Sequence, residues 1–260
     1  MSALTHEEHR TWLEKEVPDE PLSAAAIRYE TASAKALRDI EESVFWVDLL
    51  KNLTEWNDEY FRDSGGYLLF PSSEKPKLGF KPFNSLLDKA YRKNVLLNSN
   101  WPEAPSDGWV RQDTWYARTN DIVRTTMVVK YMDGVDYLTA VMIKLCEELG
   151  LKYKMDLEAR AEGYYAAHFY VNQDIEIPKL NWDTEVVPIR LEIQVTTQLQ
   201  DAIRKLTHKG YVAGRSLDRP EEQWQWNYKD PNFAPNYLGH ILHYIEGMIM
   251  EIRDRGKPNE

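Results

Sequence analysis

A carboxylate on a predicted strand is the first side chain in this sequence that could do chemistry. The segment LEIQVTT, residues 191–197, alternates apolar and polar side chains, so its apolar residues face one side of a strand. Glu192 therefore projects from the other face, beside Gln194 and Thr196. Such a carboxylate can bind a metal ion or accept a proton from a substrate. The alternative is a glutamate that simply meets water.

The preceding segment GYYAAHFYV places aromatic side chains directly after a glycine. Tyr164, Tyr165 and His168 follow Gly163, and a turn at this glycine could hold a ring against a flat ligand. Tyrosines that pack within a strand are the alternative explanation.

The segment KPFNSLLDKAYRKN predicts a helix whose start can receive phosphate groups. Pro82 suits the first helical position, which places Lys81 at the cap. Ser85 and Lys89 follow one and two turns later on much the same face. Unpaired backbone N–H groups, a hydroxyl and two lysines form a suitable receptacle for a triphosphate. The alternative is a solvated, lysine-rich helix.

Asp121 precedes a further predicted strand in the segment NDIVRTTMVVKY. On its own it could be a turn residue. Paired with Glu192, it supplies the second carboxylate that a magnesium-dependent phosphoryl transfer needs.

Taken in this order, the four segments resemble those of the RelA/SpoT nucleotidyltransferases. GYYAAH is similar to the GY-x-x-x-H segment of that family, and LEIQVTT is similar to its EIQ-R-T segment. The resemblance covers roughly residues 60–215, and the ordered pair of segments is specific, although each motif alone is weak. The other matching positions are Lys81, Ser85, Lys89, Asp121-Ile122 and His208-x-x-Tyr211.

The resemblance implies an α+β fold in which helices flank a mixed β-sheet of the nucleotidyltransferase kind. We expect one domain overall, with an N-terminal helical segment at 1–62 packed on a synthetase core at 63–215. A C-terminal aromatic segment and helix at 216–260 would follow. The chain is most similar to the small, single-domain members of the family, in particular to the toxic small alarmone synthetases of toxin–antitoxin and phage-defence loci.

The implied activity is an ATP-dependent pyrophosphokinase of the stringent response, with Mg²⁺ as cofactor. It would transfer the β,γ-pyrophosphate of ATP to the 3′-hydroxyl of GDP or GTP and so make (p)ppGpp. Two alternatives stay open. A toxic member would pyrophosphorylate the 3′-CCA end of tRNA to block translation, and an inactive relative would bind only nucleotides or a partner protein such as an antitoxin.

The resemblance also carries roles onto matching positions. Glu192 and Asp121 would be the catalytic and magnesium-binding residues, and Glu192 could instead take the proton from the attacking hydroxyl. The ATP phosphates would be bound by Lys81, Ser85 and Lys89, with Lys77 and Arg92 as further candidates. The acceptor would be bound by Tyr164 through base stacking, by Gln194 near the ribose, and by His168 and Arg160.

Four positions depart from the family pattern. In D-I-x-G-x-R, Arg124 replaces the glycine and Thr126 the arginine, while Thr196 replaces the arginine of EIQ-R-T. Arg160 stands where the family has a lysine before GY. Two lost guanidinium groups mean lost bidentate phosphate contacts, which Arg124 and Arg160 could partly restore from new positions.

Composition and charge bear on nucleic-acid binding and on cellular location. The formal net charge of −10 argues against coating nucleic acid with the whole surface. Lysines and arginines at 75–93 and 204–215 still form local basic groups that would suit tRNA phosphates. The single cysteine, Cys146, lies in an apolar helical pattern and predicts a buried thiol. One thiol, a charged start and no long apolar run are typical of a cytoplasmic protein without a membrane span.

The remaining chain predicts mainly helices and strands around these segments. We expect one or two helices over 23–62, ended by the glycines at 65 and 66, and further helices from Asp136 to Glu148 and from Tyr237 to about Arg255. Residues 1–22 predict a loose or partly helical lead-in with His6 and His9 at the surface. The aromatic segment around 224–228 is expected to pack into the core.

Overall fold

The computed structural model describes residues 4–178, 183–214 and 224–255, which form a five-stranded mixed sheet with flanking helices. The predicted α+β class is therefore confirmed. The strands occur in the sheet in the order β1-β2-β5-β4-β3. Their bounds are β1 Gly79–Phe80, β2 Val123–Val129, β3 Tyr153–Ala159, β4 Tyr165–Pro178 and β5 Thr184–Thr197.

Helices lie over the three stretches where the periodicity of apolar residues predicts them, 23–62, 136–148 and 237–255, with differences at their starts, whereas α5 and α7 were not predicted. Two of them begin four residues earlier than expected, because the apolar pattern marks the packed turns and not the first turn. No helix in the described ranges is both long enough and apolar enough to cross a membrane. The helices are α1 His6–Glu16, α2 Leu22–Glu41, α3 Val44–Asp63, α4 Phe83–Tyr91, α5 Trp115–Arg118, α6 Met132–Glu148, α7 Gln198–Gly214 and α8 Phe233–Arg255.

Contacts divide the chain into two compact units, each assembled from separated segments. The first comprises Met1–Val47, Lys77–Thr125 and Tyr170–Glu192, and within it α1, α2 and α4 pack together. The second comprises Asp48–Pro76, Thr126–Phe169 and Ile193–Glu260, and within it α8 packs against α6 and α7. The predicted burial of the Cys146 thiol in α6 is confirmed.

The lead-in is more ordered than predicted, and His9 is not at the surface. A capping box between Thr5 and Glu8 starts α1, so this short helix has a defined inner face. His9 is buried on that face, with its Nε2 atom 3.1 Å from Nδ2 of Asn94. The surface prediction is therefore wrong for His9, while His6 is half-buried and contacts Asp88.

The aromatic segment is not core, contrary to the prediction. Trp226 and Tyr228 are 86% and 74% exposed. Much of the apolar face of α8 is exposed as well, whereas its buried residues are Gly239, Glu246 and Arg253. Apolar composition alone therefore does not tell which side of these segments meets the protein.

Candidate functional site

A short strand pair in the first unit positions Lys81 beside Asp121. β1 pairs antiparallel with β2, with Phe80 opposite Val123. One residue further, the N–H of Lys81 donates to the carbonyl of Ile122 at 2.8 Å. This pairing brings Lys81 next to a carboxylate 40 residues away in sequence.

Two lysines converge on the Asp121 carboxylate. Nζ of Lys81 donates to Oδ2 and Nζ of Lys89, from α4, donates to Oδ1, each at 2.8 Å. Nη1 of Arg124 lies 3.9 Å from Oδ2. Asp121 and Lys81 are only 8% and 6% exposed. The structure thus brings together three of the predicted site residues and adds Arg124.

Burial and charge act in opposite directions at this cluster. Burial raises the pKa of Asp121, but Lys89 and Lys81 lower it by more, so its pKa lies well below the usual range. Burial lowers the pKa of Lys81, and Asp121 opposes that shift only in part. One ionised carboxylate among three cations leaves local positive charge that suits a phosphate chain.

The start of α4 lies directly beside this cluster. Pro82 is the cap residue, so Lys81 precedes the cap and does not form it as predicted. The first intrahelical bond is donated by Leu86 to the carbonyl of Pro82, which leaves the N–H groups of the first turn without helical partners. Ser85 lies half-buried in that turn. The Tyr29 hydroxyl donates to the carbonyl of Lys81 at 2.8 Å and anchors the entry to the helix.

The two weaker phosphate candidates occupy different environments. Lys77 is exposed in the segment before β1, where its carbonyl accepts a hydrogen bond from the Thr125 hydroxyl. Arg92 is half-buried and begins the π-helical turn Arg92–Leu96 that continues α4.

The sequence reasoning missed Arg190, a further cation of the first unit. Arg190 lies on β5 and donates to Oδ1 of Asn120, the neighbour of Asp121. Lys93 lies near it and donates to the carbonyl of Arg118 at 3.1 Å. Burial and then the charge of Lys89 lower the pKa of Lys93, Arg190 adds to the effect, and Asp107 and Asp121 oppose it in part. The available signal was the position of Arg190 two residues before Glu192, on the same strand face.

Glu192 is 4% exposed in β5, so the alternative of a water-exposed glutamate is wrong. Carboxylates such as Glu192 and Asp121 are the hard oxygen ligands that Mg²⁺ prefers. In the part of the chain that the structure describes, no group of three or more histidine, cysteine or acidic side chains could enclose a metal ion. The donor chemistry of the two carboxylates suits Mg²⁺, and a bound ion would replace the hydrogen bonds that the Asp121 oxygens accept from Lys81 and Lys89.

In the second unit, three of the predicted acceptor residues lie together. The Tyr164 hydroxyl lies 2.9 Å from Nε2 of His168. The guanidinium of Arg160 lies 5.2 Å from the centre of the Tyr164 ring and also pairs with Glu158. Gln194 is half-buried on β5. The arrangement presents an aromatic ring flanked by a cation and an imidazole.

Gly163 shapes the turn from which Tyr164 projects. Its φ of +75° is favourable only for glycine, and its N–H donates to the carbonyl of Arg160. A Cβ atom here would lie 2.3 Å from the carbonyl oxygen of Asn236 and 3.1 Å from Cα of Gly239, both in α8. The glycine of this motif is thus required by the turn and by the close approach of a helix.

No protein-family model and no curated protein matches this sequence. Solved structures do match its fold. The small alarmone synthetase 1 from Bacillus subtilis superposes with a TM-score of 0.54 at 15% identity, covering 88% of this chain and 95% of that chain. The fold is that of the small alarmone synthetases.

Two further structures support this assignment of the fold. The same B. subtilis protein bound to its product pppGpp gives a TM-score of 0.54 over 88% of this chain and 96% of that chain, again at 15% identity. A GTP pyrophosphokinase family protein from Streptococcus pneumoniae gives 0.51 at 16% identity, covering 86% of this chain and 91% of that chain. The expected sheet and helix arrangement is therefore confirmed independently of the sequence motifs.

Proposed function

We propose that this protein transfers the β,γ-pyrophosphate of ATP to the 3′-hydroxyl of a guanine nucleotide. The observation that carries the proposal is the pair of lysines, Lys81 and Lys89, that converges on Asp121 beside the first turn of α4, whose N–H groups have no partner within the helix. The small alarmone synthetase fold supports it, since one solved protein of that fold is bound to its product pppGpp.

The donor side requires charge neutralisation and in-line positioning. Lys81, Lys89 and the first turn of α4 would bind the phosphate chain, and the Ser85 hydroxyl would add a hydrogen bond. During transfer a bond forms between the 3′-oxygen and the β-phosphorus, while the bond from the β-phosphorus to the bridging oxygen of AMP breaks. The lysines would stabilise the charge that develops on the leaving AMP.

Asp121 and Glu192 would hold Mg²⁺, which would supply further charge neutralisation at the phosphates when bound. Glu192 would also take the proton of the attacking 3′-hydroxyl. Its burial on a strand is consistent with a fixed base rather than a mobile surface carboxylate.

On the acceptor side we assign the guanine base to Tyr164. The ring is positioned by its contacts with His168 and Arg160, so a base could stack on it without ordering a mobile side chain. Gln194 would contact the ribose.

A tRNA 3′ end is the second candidate acceptor. Exposed cations close to the site in sequence favour it, since Lys75, Lys77 and Arg124 are accessible to a longer phosphate backbone. The net charge of −10 works against broad contact with RNA.

A transfer assay with ATP labelled on its γ-phosphate separates these functions. GDP, GTP and deacylated tRNA are offered side by side with Mg²⁺, and we expect label on the guanine nucleotides. The Glu192→Gln variant should lose at least ~10²-fold in rate, since it cannot accept a proton.

The other outcomes of this assay are equally informative. Label on tRNA alone would identify a toxin that acts on translation. No transfer by folded protein would point to a binding protein, a result that the missing arginines at Thr126 and Thr196 would explain. Full activity of Glu192→Gln would refute the role assigned to this residue.

A further inference from the structure

Arg190 lies on the same face of β5 as Glu192. The two residues are separated by one position, so their side chains leave the strand on one side, about 6–7 Å apart. Arg190 is also the one basic residue of β5. Any ligand group within reach of the Glu192 carboxylate has this guanidinium as a neighbour.

Hydrogen bonds to neutral acceptors hold Arg190 and Lys93 in place. Arg190 donates to the amide oxygen of Asn120, and Lys93 donates to the carbonyl of Arg118. Among the described residues, neither side chain forms an ion pair with a carboxylate. The hydrogen bonds orient both cations, and neither cation is used up in a direct contact with a carboxylate among the described residues.

The two cations also lie near each other and near Lys89. Lys89 and Arg190 act electrostatically on the half-buried Lys93, and the carboxylates of Asp107 and Asp121 oppose them only in part. A partly buried cluster of positively charged side chains is unfavourable unless an anion binds to it. Asp121 is already bonded by both Lys81 and Lys89, so Lys93 and Arg190 can share a further anion.

We propose that Arg190 and Lys93 bind the phosphate on the 5′ side of the acceptor nucleoside. This inference rests on the proposed function, in which Glu192 meets the 3′-hydroxyl of the acceptor. The 5′-phosphate is attached to the same ribose as that hydroxyl. The spacing of Glu192 and Arg190 along β5, about 6–7 Å, is comparable to the distance across a ribose. A guanidinium suits such a group because it can donate two parallel hydrogen bonds to it.

The same chemistry could come from a free nucleotide or from the last phosphodiester of an RNA 3′ end. The experiment compares GDP with guanosine, and deacylated tRNA with GDP, as acceptors for the wild type and for Arg190→Gln. We expect kcat/KM for GDP to fall roughly 10- to 100-fold, mainly through KM. Transfer to guanosine and the KM for ATP should not change. Arg190→Lys should recover part of the loss.

Two further variants serve as a second test of the site and as a control. Lys93→Gln should act in the same direction as Arg190→Gln, which guards against a folding defect of one variant. Lys35→Gln is the matched control, because Lys35 lies in the same unit but pairs with Asp39 on α2. It should leave the kinetics with every acceptor unchanged. A loss confined to GDP would assign the pair to free nucleotides, and a loss confined to tRNA would assign it to an RNA end.

Failure of this inference differs from failure of the proposed function. If Arg190→Gln slowed transfer to GDP and to guanosine equally, or raised the KM for ATP, Arg190 and Lys93 would not bind an acceptor phosphate. If the wild type transferred to no acceptor, the proposed function would be wrong. Titration of the folded protein with GDP and guanosine would then test the site directly, and equal affinities would overturn it.

Discussion

Gly239 lies where α8 passes closest to the turn that carries Tyr164. A Cβ atom on Gly239 would lie 2.3 Å from the carbonyl oxygen of Gly163, about 0.7 Å less than the 3.0 Å that real Cβ atoms respect. The contacting atoms are backbone, so no side chain can rotate away. Gly239→Ala must therefore push the helix and the turn apart.

The separation has an energetic cost that can be estimated from the contacts at risk. His240 contacts the carbonyl of Ala161 at 2.9 Å and the Tyr165 hydroxyl at 2.8 Å, and Gln200 donates to the carbonyl of Gly239 at 3.1 Å. Overpacking of this kind costs about 1–3 kcal/mol, and each weakened hydrogen bond costs about 0.5–1.5 kcal/mol. Replacing a helical glycine by alanine returns about 1 kcal/mol. With all three hydrogen bonds weakened, we expect a net loss of about 1.5–6.5 kcal/mol.

Gly247 provides a matched control on the same helix. It lies two turns further along α8, and a Cβ atom there meets nothing within 4 Å. Gly247→Ala should therefore stabilise the protein by about 0.5–1 kcal/mol through helix propensity alone. Unfolding in urea, followed by circular dichroism, measures both variants against the wild type. Equal stabilisation by both alanines would show that α8 does not approach the turn as closely as described.

The same variant tests the link between the helix and the acceptor residues. If the turn at Gly163 is displaced, Tyr164 shifts with it, so Gly239→Ala should raise the KM for the acceptor more than the KM for ATP. Gly247→Ala should change neither. A destabilised Gly239→Ala protein with unchanged acceptor KM would contradict the assignment of Tyr164.

Two further predictions concern buried charges. Asp121→Asn leaves Lys81 buried without its partner and should cost about 3 kcal/mol near pH 7. Since the pKa of Asp121 is lowered by folding, its contribution is present above the unfolded pKa and is lost at lower pH, so urea unfolding should show the gap between variant and wild type closing below about pH 4. Arg253→Lys keeps the charge but loses the two-point contact with Asp133 and the stacking on Tyr67, and should lower the free energy of unfolding by about 1–2 kcal/mol; an unchanged urea midpoint would refute this clamp.

The sequence predicts the main elements of this fold well, because periodicity is a local property. The alternation at 191–195 places β5, and the spacing of apolar residues places α2, α3, α6 and α8. Turn residues mark several ends, such as Gly150, whose φ of +64° follows the end of α6. The starts of α6 and α8 were missed by four residues, since first turns carry no apolar signal.

The candidate site was predictable only in part. The order of the motifs singled out Lys81, Lys89 and Asp121, and the structure brings them into contact. Arg190 and Lys93 were not singled out. The spacing of Arg190 and Glu192 on β5 is a local signal, but the hydrogen bonds that orient Arg190 toward Asn120 and Lys93 toward Arg118 join segments distant in sequence, which no local pattern encodes.

Periodicity and residue type establish which residues share a face of their own helix or strand, and which of them suit phosphate chemistry. Tertiary contacts establish which faces meet. They bury His9, leave Trp226 exposed, pair Lys81 with a carboxylate 40 residues away and press Gly163 against Gly239. The physical reason is that burial and charge pairing are set by contacts between segments distant in sequence, whereas helix and strand periodicity is set by neighbouring residues.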